Sequence, residues 1–512
     1  MSIRRFSYGE AGIDVSAGRA AVADPPEAEE PFQIALLGDF SGRANRGVQD
    51  TRLSLRHPIL IDRDNFDQVL ARLGVELQLP VGGAAGQKLA IRFRELDDFQ
   101  PDRLFERLEL FRALRRTRNE LLDPATYQRA AEALRAPEPP QPPSPPPERA
   151  APVSLADLLE QSVQATESRA PEAGAARPLR DEWSQLLHDI VAPHVVPGAP
   201  PEQARLVAEV DAAIGAQMRA LLHHPDFQAL EAAWRAVFLL VRRLETGPHL
   251  ELHLLDISKA ELAADLAAAE DPRRSETWKL LVEQTVGTPG AALRAALVGN
   301  YTFEATPGDC GLLARLASIA RQAGAPLLAA ASARFLGCES LARTPDPDEW
   351  QQPLDAETSR AFQELRRRRE SAWLGLALPR FLLRLPYGKE TYPTEQFDFE
   401  EMPGGPVHQD YLWGNPAFAC AYLLGEAFSR YGWSLRPGQV RELDGLPAHV
   451  YREAGEPVVK PCAEVLLTER AAEAILDRGP MPLVSVRGRD AARLFRFQSM
   501  ADPAASLAGR WE

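Results

Sequence analysis

With 512 residues the chain is too long for one core, and its 45% apolar and 25% charged content is that of an ordinary globular protein of two or three domains. A net charge of −14 excludes a general nucleic-acid binder, which needs a basic face to neutralise phosphates. No run approaches the ~18 apolar residues of a membrane span, and MSIRRFSYGEAG has no signal-peptide core. The four cysteines (Cys310, Cys338, Cys420, Cys462) form no C-x-x-C pair, so a cytoplasmic, reducing setting is expected.

Residues 1–30 are mixed and polar. Within them Gly12 to Ser16 alternates as a short strand that needs a partner, or belongs to an unstructured tail. FQIALLGDF, from Phe32, is an apolar strand followed by the loop SGRANRG. Its glycines fit neither G-x-G-x-x-G nor a Gly-Lys-Ser/Thr phosphate loop. Phe66, Val69, Leu70 and Leu73 predict a helix stopped by Gly74. VELQL and KLAIRFREL predict a hairpin. Pro101 opens one helix carrying Leu104, Leu108, Phe111 and Leu114. A compact α/β unit ending near Ala136 is expected.

Nine of the sixteen residues from Pro137 to Pro152 are proline. Polyproline geometry at ~3.1 Å per residue holds its ends up to roughly 50 Å apart, which predicts two separate folding units held at a distance, with no direct docking implied. LADLLEQSV then places Leu155, Leu158, Leu159 and Val163 in an amphipathic island, either a recognition helix or a transient one.

The second unit begins near Leu179. Leu206, Val210, Ile214, Met218 and Leu221 form one helical stripe, and Phe227, Leu230, Trp234, Val237 and Val241 a second, predicting a helix hairpin. His223 and His224 read as its turn, since no third ligand stands at metal spacing. LELHLLDIS is a strand, and Ser258 with Glu261 makes a capping box. ALVGNYTF, the helix LLARLASIARQAG and PLLAAAS continue a β-α-β-α-β order that predicts an open α/β sheet. The arginine run between Glu364 and Glu370 reads as a solvated helix face or an electrostatic protein contact. From Trp373 to Trp433, an apolar extended path broken by Pro379 and Pro386 leads through FDFEE to a helix capped by Asn415 with Pro416 first. AEVLL and PLVSVRG are expected strands, with a helix capped by Thr468 between them.

No G-x-S-x-G, H-E-x-x-H or phosphate-loop motif is present, and the nine histidines are dispersed. Glu400 and Glu401, like Asp97 and Asp98, are adjacent, so their side chains diverge. Cys310 and Cys420 read as small buried apolar groups rather than nucleophiles. No catalysis, cofactor or metal is expected.

LLHHPDFQALEAAWRAVFLLV, LHLLDISKAELAADL, LGLALPRFLLRLPYG, DYLWGNPAFACAYLLGEAFSRYGW and PLVSVRGRDAARLFRFQS, in that order, resemble the large subunit (TssC) of the type VI secretion contractile sheath. PFQIALLGDFSGR, ILIDRDNFDQVLARLGVEL and RELDDFQPDRLFERLELFRALR resemble the small subunit (TssB). The resemblance implies a tail-sheath-like mixed α/β fold and a natural fusion. Residues 1–30 would be a tail, 31–136 a small-subunit-like domain, 137–178 a linker and 179–512 a large-subunit-like domain. The family continues past FRFQS, whereas this sequence stops at Glu512, so a C-terminally shortened large subunit is expected.

The implied function is a structural subunit that polymerises around an inner tube and contracts to deliver effectors. The alternatives are a sheath-like baseplate or cap adaptor, or an α/β enzyme with an unrecognised site. Implied partners are other sheath subunits, the tube protein, baseplate components and a ClpV-type unfoldase in a bacterial cytoplasm. By position, Ile13, Asp14, Val15 and Ser16 stand where the small subunit gives a strand to its neighbour. Leu155, Leu158, Leu159 and Val163 stand near the unfoldase-recruiting helix. The Trp373–Trp433 stretch becomes the packed heart of the larger domain, with FDFEE as an exposed acidic edge.

Overall fold

The computed structural model describes residues 6–8, 11–13, 26–27, 29–80, 88–135, 203–288 and 291–511. The Pro137–Pro152 segment lies outside the described residues. The fold is mixed α/β and divides into two compact units. The larger holds Met1–Leu79, Lys88–Arg103 and Arg219–Glu512, and the smaller Pro80–Gln87 and Leu104–Met218.

A nine-stranded sheet organises the larger unit. In chain order its strands are β1 (Phe32–Gly38), β2 (Ile59–Ile61), β3 (Leu250–Asp256), β4 (Arg294–Phe303), β5 (Leu327–Ala331), β6 (Leu374–Leu378), β7 (Glu442–Leu443), β8 (Met481–Ser485) and β9 (Ala492–Leu494). They lie side by side as β7-β9-β8-β6-β5-β4-β1-β3-β2. The six from β8 to β3 run parallel, and β2 at one end and β9 and β7 at the other are antiparallel to their neighbours. Parallel strands need crossover helices, which cover both faces and allow the near-continuous apolar runs read from the sequence.

Side chains alternate across each strand. On one face Ala35, Leu37, Leu255, Leu297, Ala329 and Leu376 form a core with α2 (Lys259–Ala268), α3 (Pro307–Ala323) and α4 (Ala356–Arg367), entered through Leu262, Leu316, Phe362 and Leu365. The other face carries Ile34, Leu36, Leu252 and Val298, also buried. There α5 (Pro416–Tyr431) packs across β4, β5 and β6 and against α1 (Pro225–Arg243). Gly425 permits that approach, because a Cβ there would stand 2.9 Å from Leu244 Cδ1.

The expectation of two folding units held apart by the proline segment is corrected. β1, from the N-terminal part, is flanked on both sides by strands from the far side of the linker. Ile34 stands opposite Leu252 on one side and Ala296 on the other. Local patterning identifies a strand but not its neighbours, and here both are more than 200 residues away in sequence. Aromatic contacts extend the same join. Phe32 stacks on Phe428 at 4.7 Å, and the Arg510 guanidinium grips Glu30 through two 2.6 Å bonds beneath Trp433.

Trp234, fully buried, packs edge-on against Phe40 and Phe66 and donates its indole N–H to the Phe40 carbonyl at 2.8 Å. Trp234→Phe keeps the ring but orphans that carbonyl. It is expected to cost about 1–3 kcal/mol, read as a lower urea midpoint with unchanged slope. An unchanged midpoint would mean that the bond contributes nothing.

Three other local readings change. The helix opened by Pro101 breaks at Leu108, giving Pro101–Arg107 and Glu109–Leu122. Ala463–Leu467 is not a strand: Glu464 takes φ 46°, which ends extended geometry, and its carboxylate holds the Arg380 backbone and guanidinium. Strand β2 has only three residues and no periodicity to announce it. In the smaller unit, considered by itself, Arg118 reaches Asp211 at 2.5 and 3.2 Å, and Gln203 donates to the Leu121 carbonyl at 2.7 Å.

Candidate functional site

The densest polar constellation in the larger unit is a buried charge network. Glu231 sits among Phe227, Leu230 and Trp234 on the apolar stripe of α1 and is fully inaccessible. Arg384, in the segment following β6, places its guanidinium between two carboxylates. It lies 2.8 and 3.3 Å from Glu231, and 2.8 and 3.1 Å from Glu401. Arg235, one turn beyond Glu231, bonds it at 2.7 Å and donates to the Tyr387 hydroxyl at 3.1 Å. The Tyr387 amide donates to Glu401 at 2.7 Å.

Burial alone would raise the Glu401 pKa. The Arg384 charge and the bonds it receives outweigh that and bring it down to about 2. Burial likewise opposes charge on Arg384, but Glu231 and Glu401 hold its pKa well above the ordinary value. Burial pushes Tyr387 up to about 12. His223 stands 3.5 Å from Glu401 and 3.6 Å from Asp410, and His224 caps α1 by accepting from the Asp226 amide.

Only part of FDFEE is an exposed edge. Asp398 and Glu400 face solvent, whereas Phe399 and Glu401 are buried. The predicted divergence of Glu400 and Glu401 is what carries Glu401 inward. Sequence reasoning missed Glu231 and Arg384. The available signal was a glutamate in the middle of an apolar helical stripe, which is tolerated only when paired.

A second cluster centres on Glu261, whose capping box with Ser258 forms as expected. Arg43 and Arg56 reach Glu261 at 3.0 and 2.5 Å. Burial opposes its charge, yet the Arg56 bond, the Ser258 amide and Arg43 lower its pKa to about 2. The loop after β1 is consumed by such bonds. Asp39 accepts from the Arg43 and Ala44 amides, and Asp256 from those of Phe40 and Ser41. Gly42, at φ 77°, lies so close to the Glu76 carbonyl that a Cβ would clash with its oxygen. The amides of Phe40, Ser41, Arg43 and Ala44 are thus already engaged by the protein's own carboxylates rather than presented to a phosphate.

Glu231, Arg384 and Glu401 fall within residues 204–501, which match the VipB family, described as EvpB/VC_A0108, tail sheath N-terminal domain. The chain belongs to that sheath family. Residues 20–136 match the family of VipA, VC_A0107 or Hcp2 of the type VI secretion system, so the chain is a fusion of VipA/TssB-like and VipB/TssC-like sheath segments. It is 35% identical over 305 residues to the type VI secretion system sheath protein TssC1 of Pseudomonas aeruginosa PAO1. That match spans 58% of this chain and 61% of the relative.

Within this sheath-family chain the network pins the segment from Arg384 to Glu401 onto α1, with the Arg384 guanidinium and the Glu231 and Glu401 carboxylates paired to one another. A cavity of about 620 Å³ opens beside it, lined by Arg235, Phe238, Arg384, Tyr387 and Tyr392. Two further charged groups of its wall are engaged: Arg243 donates to the Asp444 and Gly445 carbonyls, and Asp102 accepts from the Glu395 and Gln396 amides. Among the described residues no group of three or more His, Cys, Asp or Glu could hold a metal ion. No helix among them is long and apolar enough to cross a membrane. Burial pushes the thiols of Cys310 and Cys462 up to about 11 and that of Cys420 to about 12, away from the nucleophilic thiolate.

Of the residues assigned to exchange, Ile13 ends the strand Ala11–Ile13, which pairs antiparallel with Phe6–Tyr8. Asp14, Val15 and Ser16 lie outside the described residues, as do Leu155, Leu158, Leu159 and Val163.

Proposed function

We propose that this protein is a structural subunit of a type VI secretion contractile sheath, polymerising around an inner tube and contracting to drive effector delivery. The observation that carries this reading is the joining of both sheath segments in one sheet. β1 and β2 fall in the VipA match, and β3 to β9 in the VipB match. A bound pair of subunits is thereby made as one polypeptide.

On this reading residues 31–136 supply the small-subunit part, 179–512 the large-subunit part and 137–178 the connection. Ile13 to Ser16 belong to a strand given to a neighbouring copy, and Leu155, Leu158, Leu159 and Val163 to a helix that recruits a ClpV-type unfoldase. Further partners are other sheath subunits, the tube protein and the baseplate, in the bacterial cytoplasm. The subunit performs no catalysis; its charge networks hold the fold.

Negative-stain electron microscopy of the purified chain, alone and with tube protein, tests this. Tubes or cogwheel rings are expected. A persistent monomer, even with a separate large sheath subunit and tube protein present, would overturn the proposal.

A further inference from the structure

The arginine run belongs to the end of α4. Phe362 and Leu365 seat that helix in the core, while Arg360, Arg367, Arg368 and Arg369 are exposed. Their neighbours are engaged: Arg366 donates to the Met500 and Asp477 carbonyls, and Glu370 pairs with Arg321 at 2.9 Å. Among the described residues the four exposed arginines have no carboxylate partner. The same helix also exposes Glu357 and Glu364, so the basic charge is concentrated at its end, in the unpaired run Arg367, Arg368 and Arg369, within a chain of net charge −14.

The matching acidic surface is the loop from Lys389 to Glu400. Glu390, Glu395, Asp398 and Glu400 are exposed there, against Lys389 alone, which pairs with Asp398 at 3.0 Å. The Arg384–Glu231 network anchors this loop to α1, on the sheet face opposite α4. Patch and loop therefore belong to opposite sides of one unit, out of reach of each other within a chain.

Building on the sheath reading, we infer that the arginine patch of one copy docks on the Lys389–Glu400 loop of the next. Two different, complementary surfaces make a heterologous contact, which propagates as an open helix when the rotation does not close a ring. Opposed exposed charges attract over about a Debye length, steer encounter and weaken with salt. A nucleic acid is the less fitting occupant, because three adjacent arginines on a chain of net charge −14 do not make the extended basic face that phosphates require.

The test uses two full-length charge-reversed chains. One carries Arg367→Glu, Arg368→Glu and Arg369→Glu, and the other Glu390→Lys, Glu395→Lys and Asp398→Lys. Each alone is expected to need about tenfold more protein to polymerise than the wild type, and a one-to-one mixture to restore assembly. Pairwise association of the mixture is also read by sedimentation at low and high salt, which does not require polymer. A salt-sensitive complex in the mixture, absent from either variant alone, supports the contact even if no chain forms tubes, in which case the sheath reading alone fails. Wild-type-like assembly of either variant overturns the contact, as does absence of any complex between two variants that melt like the wild type.

Discussion

A chain of residues 179–512 alone is expected to be insoluble, and to become soluble when residues 1–136 are supplied on a second chain. Removing β1 takes out an interior strand whose backbone runs beside β3 from Phe32 to Gly38 and beside β4 for most of the same length. Both neighbours would then expose unpaired N–H and C=O groups along flat apolar edges, a template for aggregation. The core would also lose Phe32, Ile34, Leu36 and Leu37, each at most 1% exposed. At roughly 1.5–3 kcal/mol for each large apolar side chain, that is about 6–12 kcal/mol. The whole stability of a typical domain is only about 5–15 kcal/mol. The soluble fraction of each fragment, and the melting of the reconstituted pair, check the prediction. A monomeric 179–512 fragment that melts cooperatively would show that β1 merely docks on a sheet already complete without it.

Arg384→Ala is expected to destabilise the protein by about 3–5 kcal/mol at neutral pH, because it leaves Glu231 and Glu401 buried with their main counter-charge gone. The pH dependence follows from Glu401. Its folded pKa of about 2 lies below the ordinary 4.5, so its ionised form stabilises the fold fully above the ordinary value. That contribution is lost as pH falls from 4.5 through 2. In Arg384→Ala the effect of burial is no longer outweighed by the Arg384 charge, so Glu401 takes up its proton at higher pH and the difference from wild type narrows on acidification. Urea midpoints for both proteins at neutral and acidic pH give the comparison. Equal midpoints at neutral pH would mean that the Arg384 ion pairs add no net stability.

What was legible in the sequence was whatever depends on near neighbours. The Ser258–Glu261 capping box, the Asn415 cap with Pro416 behind it, the Gly74 stop and the apolar strand at Phe32 all formed where read. These are decided by contacts a few residues apart. The placement of β1 was not legible, because an apolar strand carries no mark of its flanking partners, and the proline run suggested separation. The site was half legible. Glu400 and Glu401 pointed apart as expected, yet nothing near Arg384 in sequence announced a glutamate on α1, 153 residues away. Resemblance named the family without revealing that its two segments share a sheet.

The central position of β1 also bears on how the protein comes off the ribosome. FQIALLG is made early, but its first flanking strand is complete only at Asp256 and the other only at Phe303. At about 5–20 residues per second, the strand waits about 10–45 s for the first of them. Through that interval seven residues that end up buried have no native partner, and closure requires a contact of very long sequence range. Nascent chains are therefore most vulnerable to aggregation before β3 emerges, and the rate of elongation through this stretch sets how long that exposure lasts.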